Sequence, residues 1–467
     1  MGRRGERILV LGLGVSGMAA ARWGLSRASS GEDVRVTVVD ERTGAGAPCL
    51  AENAETLRAA GADVLLGVSE VPEGPWDLVV ASPGIPPYAP VMLSALASGA
   101  PVISEVELGW RVARAPIVAV TGTNGKTTVT ALLTHLLTEG GLDARACGNI
   151  GGTTVLEAAL DASAEAVLVA EVSSFQLAST DRFHPKVAVL LNITPDHLDW
   201  HGCLEVYAAD KAKVFANMGP GDTVVIDVDD PGSAAKVGQA EATGAVVVRV
   251  SRSRMYPGGA SVVDGVMAVD RAGGPVALVA PGELMIRGDH NVSNALAAAS
   301  AALALGAGVD EIRRGLETFA PVEHRLEPAG EADGIRWIND SKATNPDAVL
   351  KALTAFGDEP LIVLLGGRNQ HSDFAPLARA VAARAKAVVL FGECLPELRE
   401  AFVGLRVTVF EAATLAQAVR AAGGLAVRGD IVLLSPANAS FDEFDSYGHR
   451  GREFKRMVHE MHPGSGI

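Results

Sequence analysis

Residues 117–128 read Ile-Val-Ala-Val-Thr-Gly-Thr-Asn-Gly-Lys-Thr-Thr, an apolar β-branched run that meets a glycine-rich loop and then a helical pattern. A strand that feeds such a loop leaves backbone N–H groups at a helix N-terminus, where a polyphosphate can bind. Lys126 lies beside that position, and the Thr127 hydroxyl is able to hold Mg²⁺. The stretch therefore predicts a nucleotide-triphosphate site.

The loop has the shorter T-G-T-N-G-K-T form, because Val120 occupies the position where the general P-loop pattern has its first glycine. A glycine turn with a chance G-K-T is the alternative. The order of strand, loop and helix favours the nucleotide site. The predicted nucleotide contacts in this stretch are Gly122, Thr123, Asn124, Gly125, Lys126, Thr127 and Thr128.

Length and composition indicate a multidomain α/β protein. The chain has 467 residues, and at roughly 150 residues per domain it is expected to form about three domains. A net charge of −15 argues against a nucleic-acid partner, since phosphate backbones are bound through excess Lys and Arg. The sequence has no signal-type apolar region, no run of 18 apolar residues and no C-x-x-C pair. We therefore expect a cytoplasmic protein without membrane insertion, zinc or a disulfide framework.

The N-terminal region follows a strand-turn-helix pattern. Residues 8–11 form a buried-strand pattern that leads into Gly-Leu-Gly-Val-Ser-Gly at 12–17, and a second predicted strand ends at Asp40, whose carboxylate can accept a ribose hydroxyl. An NAD-binding domain is one interpretation, but the glycine motif alone indicates only a phosphate near a helix N-terminus. Gly84 lies in a turn after another predicted strand, where open α/β sheets place ligands or where the chain merely turns.

Polar residues also follow the predicted strands of the central region. Glu171 ends a strand next to the P-loop strand, where a nucleotide-bound Mg²⁺ finds a protein ligand, although a solvated strand end has the same pattern. Residues 192–202 combine carboxylates with His197 and His201, a density that suits metal binding or proton transfer as well as a structural role. On pattern alone, Lys211 belongs to a solvated helix face, and Asn294 either meets a base edge or caps a helix.

The last third of the chain repeats the theme of a strand followed by a polar loop. Proline at position 321 interrupts the pattern and is taken as the second domain boundary, the first being at 113–116. Apolar strands are predicted at 337–339, 361–365, 387–391 and 431–434, with a polar loop after each. Strands that alternate with helical patterns predict a doubly wound sheet.

Taken together, the loops resemble those of the Mur ligase family. The resemblance runs through nearly the whole chain in order: G-L-G-V-S-G, S-P-G-I-P, T-G-T-N-G-K-T-T, G-N-I-G, E-V-S-S-F-Q-L, T-P-D-H-L-D-W-H-G, H-N-V-S-N, E-H-R, N-D-S-K-A-T-N, L-L-G-G and S-P-A-N-A-S-F-D-E-F. The fifth and the last of these motifs resemble the members that add D-glutamate. The D-N-P-R motif of the diamino-acid-adding members is absent from the sequence.

The resemblance implies a three-domain α/β fold: a Rossmann-like UDP-sugar domain at 1–114, a central P-loop ATP-binding domain with a mixed sheet at 115–321, and a doubly wound Rossmann-like amino-acid domain at 322–467. It implies ATP-dependent addition of D-glutamate to UDP-N-acetylmuramoyl-L-alanine through an acyl phosphate, in cytoplasmic peptidoglycan precursor synthesis, by a monomer. The NAD interpretation is then withdrawn. Both chemical steps gather negative charge, so two Mg²⁺ ions and cationic side chains are the expected catalytic devices.

The residue roles that the resemblance implies fall into three groups. The catalytic or metal-binding group, with Lys211 carried as a CO₂-derived carbamate, is Lys126, Thr127, Glu171, His197 and Lys211. Further nucleotide contacts are Asn294, Arg325 and Asp340. Substrate contacts are Gly14, Val15, Ser16, Asp40, Gly84, Asn149, Lys342, Thr344, Arg368, Ser440 and Phe441.

One departure from the family pattern bears on D-glutamate. The family carries Lys or Arg two or three residues after the L-L-G-G motif, whereas here Arg368 follows at once and His371 comes later. We expect Arg368 with Ser440, rather than the titrating His371, to hold the D-glutamate side chain, because a guanidinium is charged at every working pH. The competing hypotheses are another amino-acid-adding or folylpolyglutamate-type ligase, a nucleotide-gated switch protein and a dehydrogenase.

Overall fold

The computed structural model describes residues 5–43, 48–320, 322–369 and 372–461. The chain divides into two compact units, one comprising Met1–Leu278 with Asn294–Leu316 and the other Val279–Ser293 with Glu317–Ile467. The described residues form three sheets, two in the first unit and one in the second. The predicted α/β class is confirmed; the boundary predicted at Pro321 and the candidate His371 lie outside the described residues.

The N-terminal sheet is parallel, with strand order β3-β2-β1-β4-β5. Residues 8–11 of its central strand are fully buried, which fits the continuous apolar run of a strand covered by helices on both faces. The glycine motif joins β1 to α1, as predicted. The strands are β1 Glu6–Leu11, β2 Val34–Asp40, β3 Asp63–Leu66, β4 Leu78–Ala81 and β5 Val102–Ser104, and the helices are α1 Val15–Ser29, α2 Pro48–Ala59, α3 Pro90–Ala97 and α4 Glu105–Val112.

The central sheet has the strand order β14-β13-β12-β11-β10-β9-β6-β8-β7. Strands β6 to β12 pair in parallel, and the pairs β12–β13 and β13–β14 are antiparallel, so the predicted mixed sheet is confirmed. Because β6 lies between β9 and β8, the loops after these three strands meet at one edge. The strands are β6 Ile117–Thr121, β7 Ala144–Gly148, β8 Val167–Glu171, β9 Val187–Leu190, β10 Thr223–Asp227, β11 Val246–Val250, β12 Ala260–Val263, β13 Val266–Arg271 and β14 Gly274–Ala277.

The helices of this region alternate with the strands, and the last two, which follow β14, each contain a point at which the chain passes from one unit to the other. The P-loop helix α5 ends at Glu139, and Gly140 forms its C-cap. The helices are α5 Lys126–Glu139, α6 Val155–Asp161, α7 Ser174–Ala178, α8 Leu198–His201, α9 Leu204–Ala212, α10 Pro231–Ala234, α11 Val237–Glu241, α12 Asp289–Ala304 and α13 Val309–Thr318.

The C-terminal sheet has the order β15-β16-β20-β17-β18-β19, with only the β15–β16 pair antiparallel among its described strands. The four predicted strands are present. The prediction of a loop from Ser435 onward was wrong, because the strand continues to Ala437 past a register shift opposite Gly366 that accommodates Pro436. The strands are β15 Glu327–Ala332, β16 Ile335–Asn339, β17 Leu361–Gly366, β18 Ala385–Phe391, β19 Thr408–Glu411 and β20 Ile431–Ala437, and the helices are α14 Pro346–Leu353, α15 Ala375–Arg384, α16 Leu395–Ala401, α17 Leu415–Leu425 and α18 Tyr447–Met461.

Two whole-chain expectations can be compared with the described residues. None of their helices combines the length and the apolarity that a membrane crossing requires. The four cysteines are free thiols, two of them buried and two exposed.

Candidate active site

The glycine loop after β6 is tightly packed. Gly125 adopts a φ of 88°, and a Cβ placed there would lie 2.5 Å from Asn294 Oδ1. Gly122 has a φ of 154°, and a Cβ there would approach Leu191 Cβ to 3.0 Å. Both positions therefore require glycine. Asn294, predicted to meet a nucleotide base or cap a helix, packs against the loop itself.

Two side chains that the sequence did not single out hold the loop in shape. The backbone N–H of Asn124 donates to Asn192 Oδ1 at 2.8 Å, and Asn192 Nδ2 donates back to the Asn124 carbonyl at 3.0 Å. The hydroxyls of Thr123 and Tyr207 are 2.9 Å apart. These are tertiary contacts between segments 68 and 84 residues apart, which no local pattern indicates.

Two lysines meet at one carbonyl of the loop. Lys126 Nζ donates to the carbonyls of Gly122 and Thr123, each at 2.9 Å, and Lys211 Nζ donates to the same Gly122 carbonyl at 2.8 Å. Lys211 is 1% exposed, so the solvated-face interpretation of its pattern was wrong. Burial, and then the positive charge of Lys126, hold the pKa of Lys211 well below its usual value. The surroundings of Lys211 therefore disfavour its ammonium form.

Glu171 brings a buried carboxylate to the same edge of the sheet. Its Oε1 accepts a hydrogen bond from Asn149 Nδ2 at 2.9 Å, and its Oε2 is buried with no partner among the described residues. The interpretation of Glu171 as a solvated strand end was wrong, since the residue is 2% exposed. A buried anionic oxygen without a donor calls for a cation.

This donor set fits Mg²⁺. The buried residue Thr127 is the second residue of α5, and Glu171 ends the neighbouring strand β8. Within the described ranges no three His, Cys, Asp or Glu side chains are grouped closely enough to bind a metal. An Mg²⁺ ion at Glu171 Oε2 would therefore take its remaining oxygens from hydroxyl, phosphate and water, which are ligands that Mg²⁺ accepts.

His197 occupies a strained turn after β9. Its φ is 52°, an uncommon value for a residue with a side chain. Its ring packs on Phe175 with centroids 4.7 Å apart, and its Nε2 lies 3.7 Å from Asp196 Oδ2. Burial lowers the pKa of His197, and Lys126 and Lys211 lower it further against the opposing effect of Asp196. A neutral imidazole nitrogen is the form that binds a metal or accepts a proton.

His201, the second imidazole of that loop, is engaged at both nitrogens. Nδ1 lies 2.9 Å from Asp210 Oδ2, and Nε2 lies 2.9 Å from Ser174 Oγ. The side chain is fully buried. His201 is thus the middle member of a hydrogen-bonded row that also contains Ser174 and Asp210.

In the N-terminal sheet, Asp40 supports its own glycine turn. Its Oδ2 accepts from the backbone N–H of Leu13 at 2.8 Å and from the Arg42 guanidinium at 2.7 Å. Burial raises the pKa of Asp40, but the bonds from Arg42 and Leu13 outweigh it and leave the pKa below its usual value. The candidates at the start of α1, Gly14 and Val15, are exposed, Ser16 is half-buried, and Gly84 lies in a turn with open space around it.

In the second unit, Asp340 lies at the end of β16. Its Oδ2 accepts from Ser435 Oγ at 2.7 Å and its Oδ1 from the Leu326 backbone N–H at 3.3 Å. Burial raises its pKa to about 6. Arg325 has its Nε buried, and that atom is without a hydrogen-bond acceptor in the parts of the chain that are described.

The candidate D-glutamate residues differ in exposure. Lys342 Nζ donates to the Tyr447 hydroxyl at 3.2 Å, and Thr344 is half-buried. Arg368 Nε pairs with Glu393 Oε2 at 2.9 Å at the surface, while its backbone N–H donates to the Ala439 carbonyl at 2.9 Å. That backbone bond places Arg368 beside the segment that carries Ser440, which is buried, and Phe441, which is 59% exposed. Arg368 and Ser440 thus lie on neighbouring segments, and their role in holding D-glutamate stays a prediction.

The first unit has a tightly packed glycine loop, a lysine at the first turn of the helix that follows, and parallel strands beside the loop. These features are typical of the P-loop class of nucleotide-binding domains. Comparison with known proteins narrows this class. The model of the Mur ligase MurD-like N-terminal domain matches residues 6–104, that of the Mur ligase middle domain matches 120–302, and that of the Mur ligase glutamate ligase domain matches 324–438.

Relatives match along the whole chain. A protein named UDP-N-acetylmuramoylalanine--D-glutamate ligase from Pelotomaculum thermopropionicum is 42% identical over 465 residues, covering 98% of each chain. One of the same name from Frankia casuarinae is 42% identical over 460 residues, covering 97% of this chain and 94% of its own. A solved pseudomurein peptide ligase type C from Methanothermus fervidus, 19% identical, shares the fold with a TM-score of 0.61 over 98% of this chain and 100% of its own. The chain belongs to the Mur ligase family.

Proposed function

We propose that this protein is an ATP-dependent ligase that adds D-glutamate to UDP-N-acetylmuramoyl-L-alanine in the cytoplasm, as a monomer, during peptidoglycan precursor synthesis. The observation that carries the substrate assignment is the full-length similarity to relatives named for this reaction. The observation that supports the chemistry is the grouping of Lys126, Lys211 and Glu171 around one P-loop. Three domains share the task, at 1–114, 115–321 and 322–467.

The reaction consists of two displacements. A carboxylate oxygen of the UDP-sugar substrate attacks the γ-phosphorus of ATP, the bond to ADP breaks, and an acyl phosphate forms. The D-glutamate nitrogen then attacks the acyl carbon, loses a proton, and inorganic phosphate leaves as the amide forms. Because both steps concentrate negative charge, the groups that hold phosphate have the largest effect on the rate.

The loop residues bind and orient the triphosphate. Lys126 exchanges its bonds to the loop carbonyls for phosphate oxygens, and the N-terminus of α5, which begins at Lys126, favours the same anion. Thr127 and Glu171 hold one Mg²⁺, and His197 and Lys211 contribute to the second. When bound, the two ions neutralise charge on the transferring phosphoryl group.

Lys211 is carried as a carbamate. Burial disfavours its ammonium form, and the neutral amine is the form that adds to CO₂, forming an N–C bond and releasing a proton. The product is an anion beside Lys126, and it attracts the Lys126 ammonium, which the uncharged amine does not. Its oxygens then suit Mg²⁺.

The remaining roles concern substrates. The residues proposed to bind the UDP-sugar are Gly14, Val15, Ser16, Asp40, Gly84 and Asn149, those proposed to bind D-glutamate are Lys342, Thr344, Arg368, Ser440 and Phe441, and the further nucleotide contacts are Asn294, Arg325 and Asp340.

The test is ADP release by the purified chain with ATP, Mg²⁺ and UDP-N-acetylmuramoyl-L-alanine, against a panel of L- and D-amino acids. We expect release to depend on D-glutamate. Release with a different amino acid would assign another ligase specificity. Equal release without any acceptor would make the protein a nucleotide-gated switch.

A further inference from the structure

A row of three buried side chains lies behind the P-loop without a role in the proposed ligand set. It consists of Ser174, His201 and Asp210, with His201 in the middle and 2.9 Å from each partner. Asp210 is fixed in turn by Lys213, whose Nζ lies 3.0 Å from Asp210 Oδ1. Because both ring nitrogens are engaged, the His201 imidazole has a single orientation.

The row has the residue types of a hydrolytic Ser-His-Asp triad. Ser174 is 2% exposed and His201 is fully buried, so a substrate has no approach to the serine hydroxyl. The row therefore acts on its neighbours rather than as a nucleophile.

Each member of the row is close in sequence to a proposed metal ligand. Ser174 begins α7, three residues after Glu171, and Asp210 immediately precedes Lys211. His201 closes the turn that begins at His197, since its backbone N–H donates to the His197 carbonyl at 3.1 Å. One imidazole thus connects the three segments that carry these ligands.

Ring contacts extend these connections. The Phe175 ring stacks on His201 with an interplanar angle of 12° and a centroid distance of 5.4 Å, and it also contacts the His197 ring at a centroid distance of 4.7 Å. The Tyr207 ring meets the His201 edge at 5.1 Å and lies under Lys211 Nζ at 4.6 Å. The Phe175 ring thus connects His201 with His197, and the Tyr207 ring connects His201 with Lys211.

The need for such support is visible at His197. A residue with a side chain is strained at a φ of 52° and keeps that conformation only when its surroundings impose it. Groups that orient metal ligands in this way typically change metal affinity or activity about 10- to 100-fold when they are removed.

We propose that His201 is a positioning residue that, through Ser174 and Asp210, fixes the mutual geometry of Glu171, His197 and Lys211. The inference rests on the proposed function. It assigns to His201 no contact with substrate or nucleotide, and it predicts an effect on metal affinity and turnover rather than on UDP-sugar binding.

The test is His201→Phe, which keeps a ring for stacking and removes both hydrogen bonds. Mn²⁺ binding to the ADP complex, followed by electron paramagnetic resonance, should weaken about tenfold or more, and kcat should fall about 10- to 100-fold with KM for the UDP-sugar unchanged within twofold. His201→Asn, whose amide can still donate to Asp210, should lie between parent and His201→Phe. The control is His184→Phe, since His184 makes a comparable contact, 2.6 Å from Asp222 Oδ2, before β9 instead of after it.

Mn²⁺ affinity of His201→Phe within twofold of the parent would overturn the inference, as would an equal loss in His184→Phe. A fall in kcat that only follows the folded fraction, with unchanged Mn²⁺ affinity, would also overturn it and leave His201 structural. If His201→Phe does not fold, Ser174→Ala and His201→Asn are judged by the same criteria. A parent that binds Mn²⁺-ADP but does not respond to D-glutamate would refute the proposed function and not this inference.

Discussion

Replacing Lys211 by alanine removes the side chain proposed to supply carbamate oxygens beside the P-loop. Lys126 and Lys211 both donate to the Gly122 carbonyl, so their nitrogens lie at most about 5.7 Å apart. At an effective dielectric constant of about 20, an anion and the Lys126 ammonium at that distance attract by about 3 kcal/mol, and neither an uncharged amine nor an alanine methyl group supplies this attraction. Losing that anion should lower kcat about 10²- to 10³-fold, which corresponds to a rise of about 3–4 kcal/mol in the activation free energy.

The assay is ADP release at saturating substrates, with and without added acetate. Acetate should restore Lys211→Ala at least about tenfold, since its carboxylate fits the space that the missing carbamate leaves. The matched control is Lys211→Arg, which fills that space with a permanent cation and should not respond to acetate. Near-normal activity of Lys211→Ala, or equal acetate responses in both variants, would refute the reasoning.

Three further predictions concern other parts of the chain. Burial raises the pKa of Glu105 to about 7 from an ordinary 4.5, so this group's contribution to stability is complete below pH 4.5 and is lost as the pH rises through 7. Glu105→Gln cannot ionise, so its free energy of unfolding should fall by up to about 3 kcal/mol less than that of the parent over this range. The variant should therefore show a smaller fall in Tm between about pH 5.5 and 8.5, and parallel Tm profiles would contradict the prediction. His197→Ala should lower kcat without raising KM for the UDP-sugar, and steady-state kinetics showing the reverse would remove it from the phosphate site. Arg368→Ala should raise KM for D-glutamate at every pH from about 6.5 to 9; a parent KM that rises with pH, together with a silent Arg368→Ala, would indicate His371 instead.

Much of the fold follows from local patterns. The buried runs at β1, β6, β8, β9 and β17 are continuous and apolar, and each is followed by glycine or polar residues, so strand type and strand end are both encoded within a few positions. Strand β15 is different, because Pro328 and Gly330 disfavour a strand and only pairing with β16 imposes one. The short edge strand β19 is largely exposed and has no buried run to identify it.

The candidate site was predictable in its residue types but not in its contacts. Lys211 has the pattern of a solvated lysine, and its burial follows only from the packing of α9 against the P-loop. The contacts of Asn192 and His201 also follow only from tertiary packing. Asn192 accepts a hydrogen bond from the Asn124 backbone, and the partners of His201 are 27 residues before it and 9 after it. Such contacts join distant segments, and periodicity describes near neighbours only.

The central claim is that this chain forms an amide between UDP-N-acetylmuramoyl-L-alanine and D-glutamate at the expense of ATP. The most direct measurement is mass spectrometry of the product after incubation with ATP, Mg²⁺, the UDP-sugar and either D- or L-glutamate, with ADP counted in parallel. We predict that the UDP-sugar gains the mass of one glutamate residue with D-glutamate only, with one ADP formed for each product molecule. An unchanged UDP-sugar mass while ADP accumulates, or an equal gain with L-glutamate, would contradict the account.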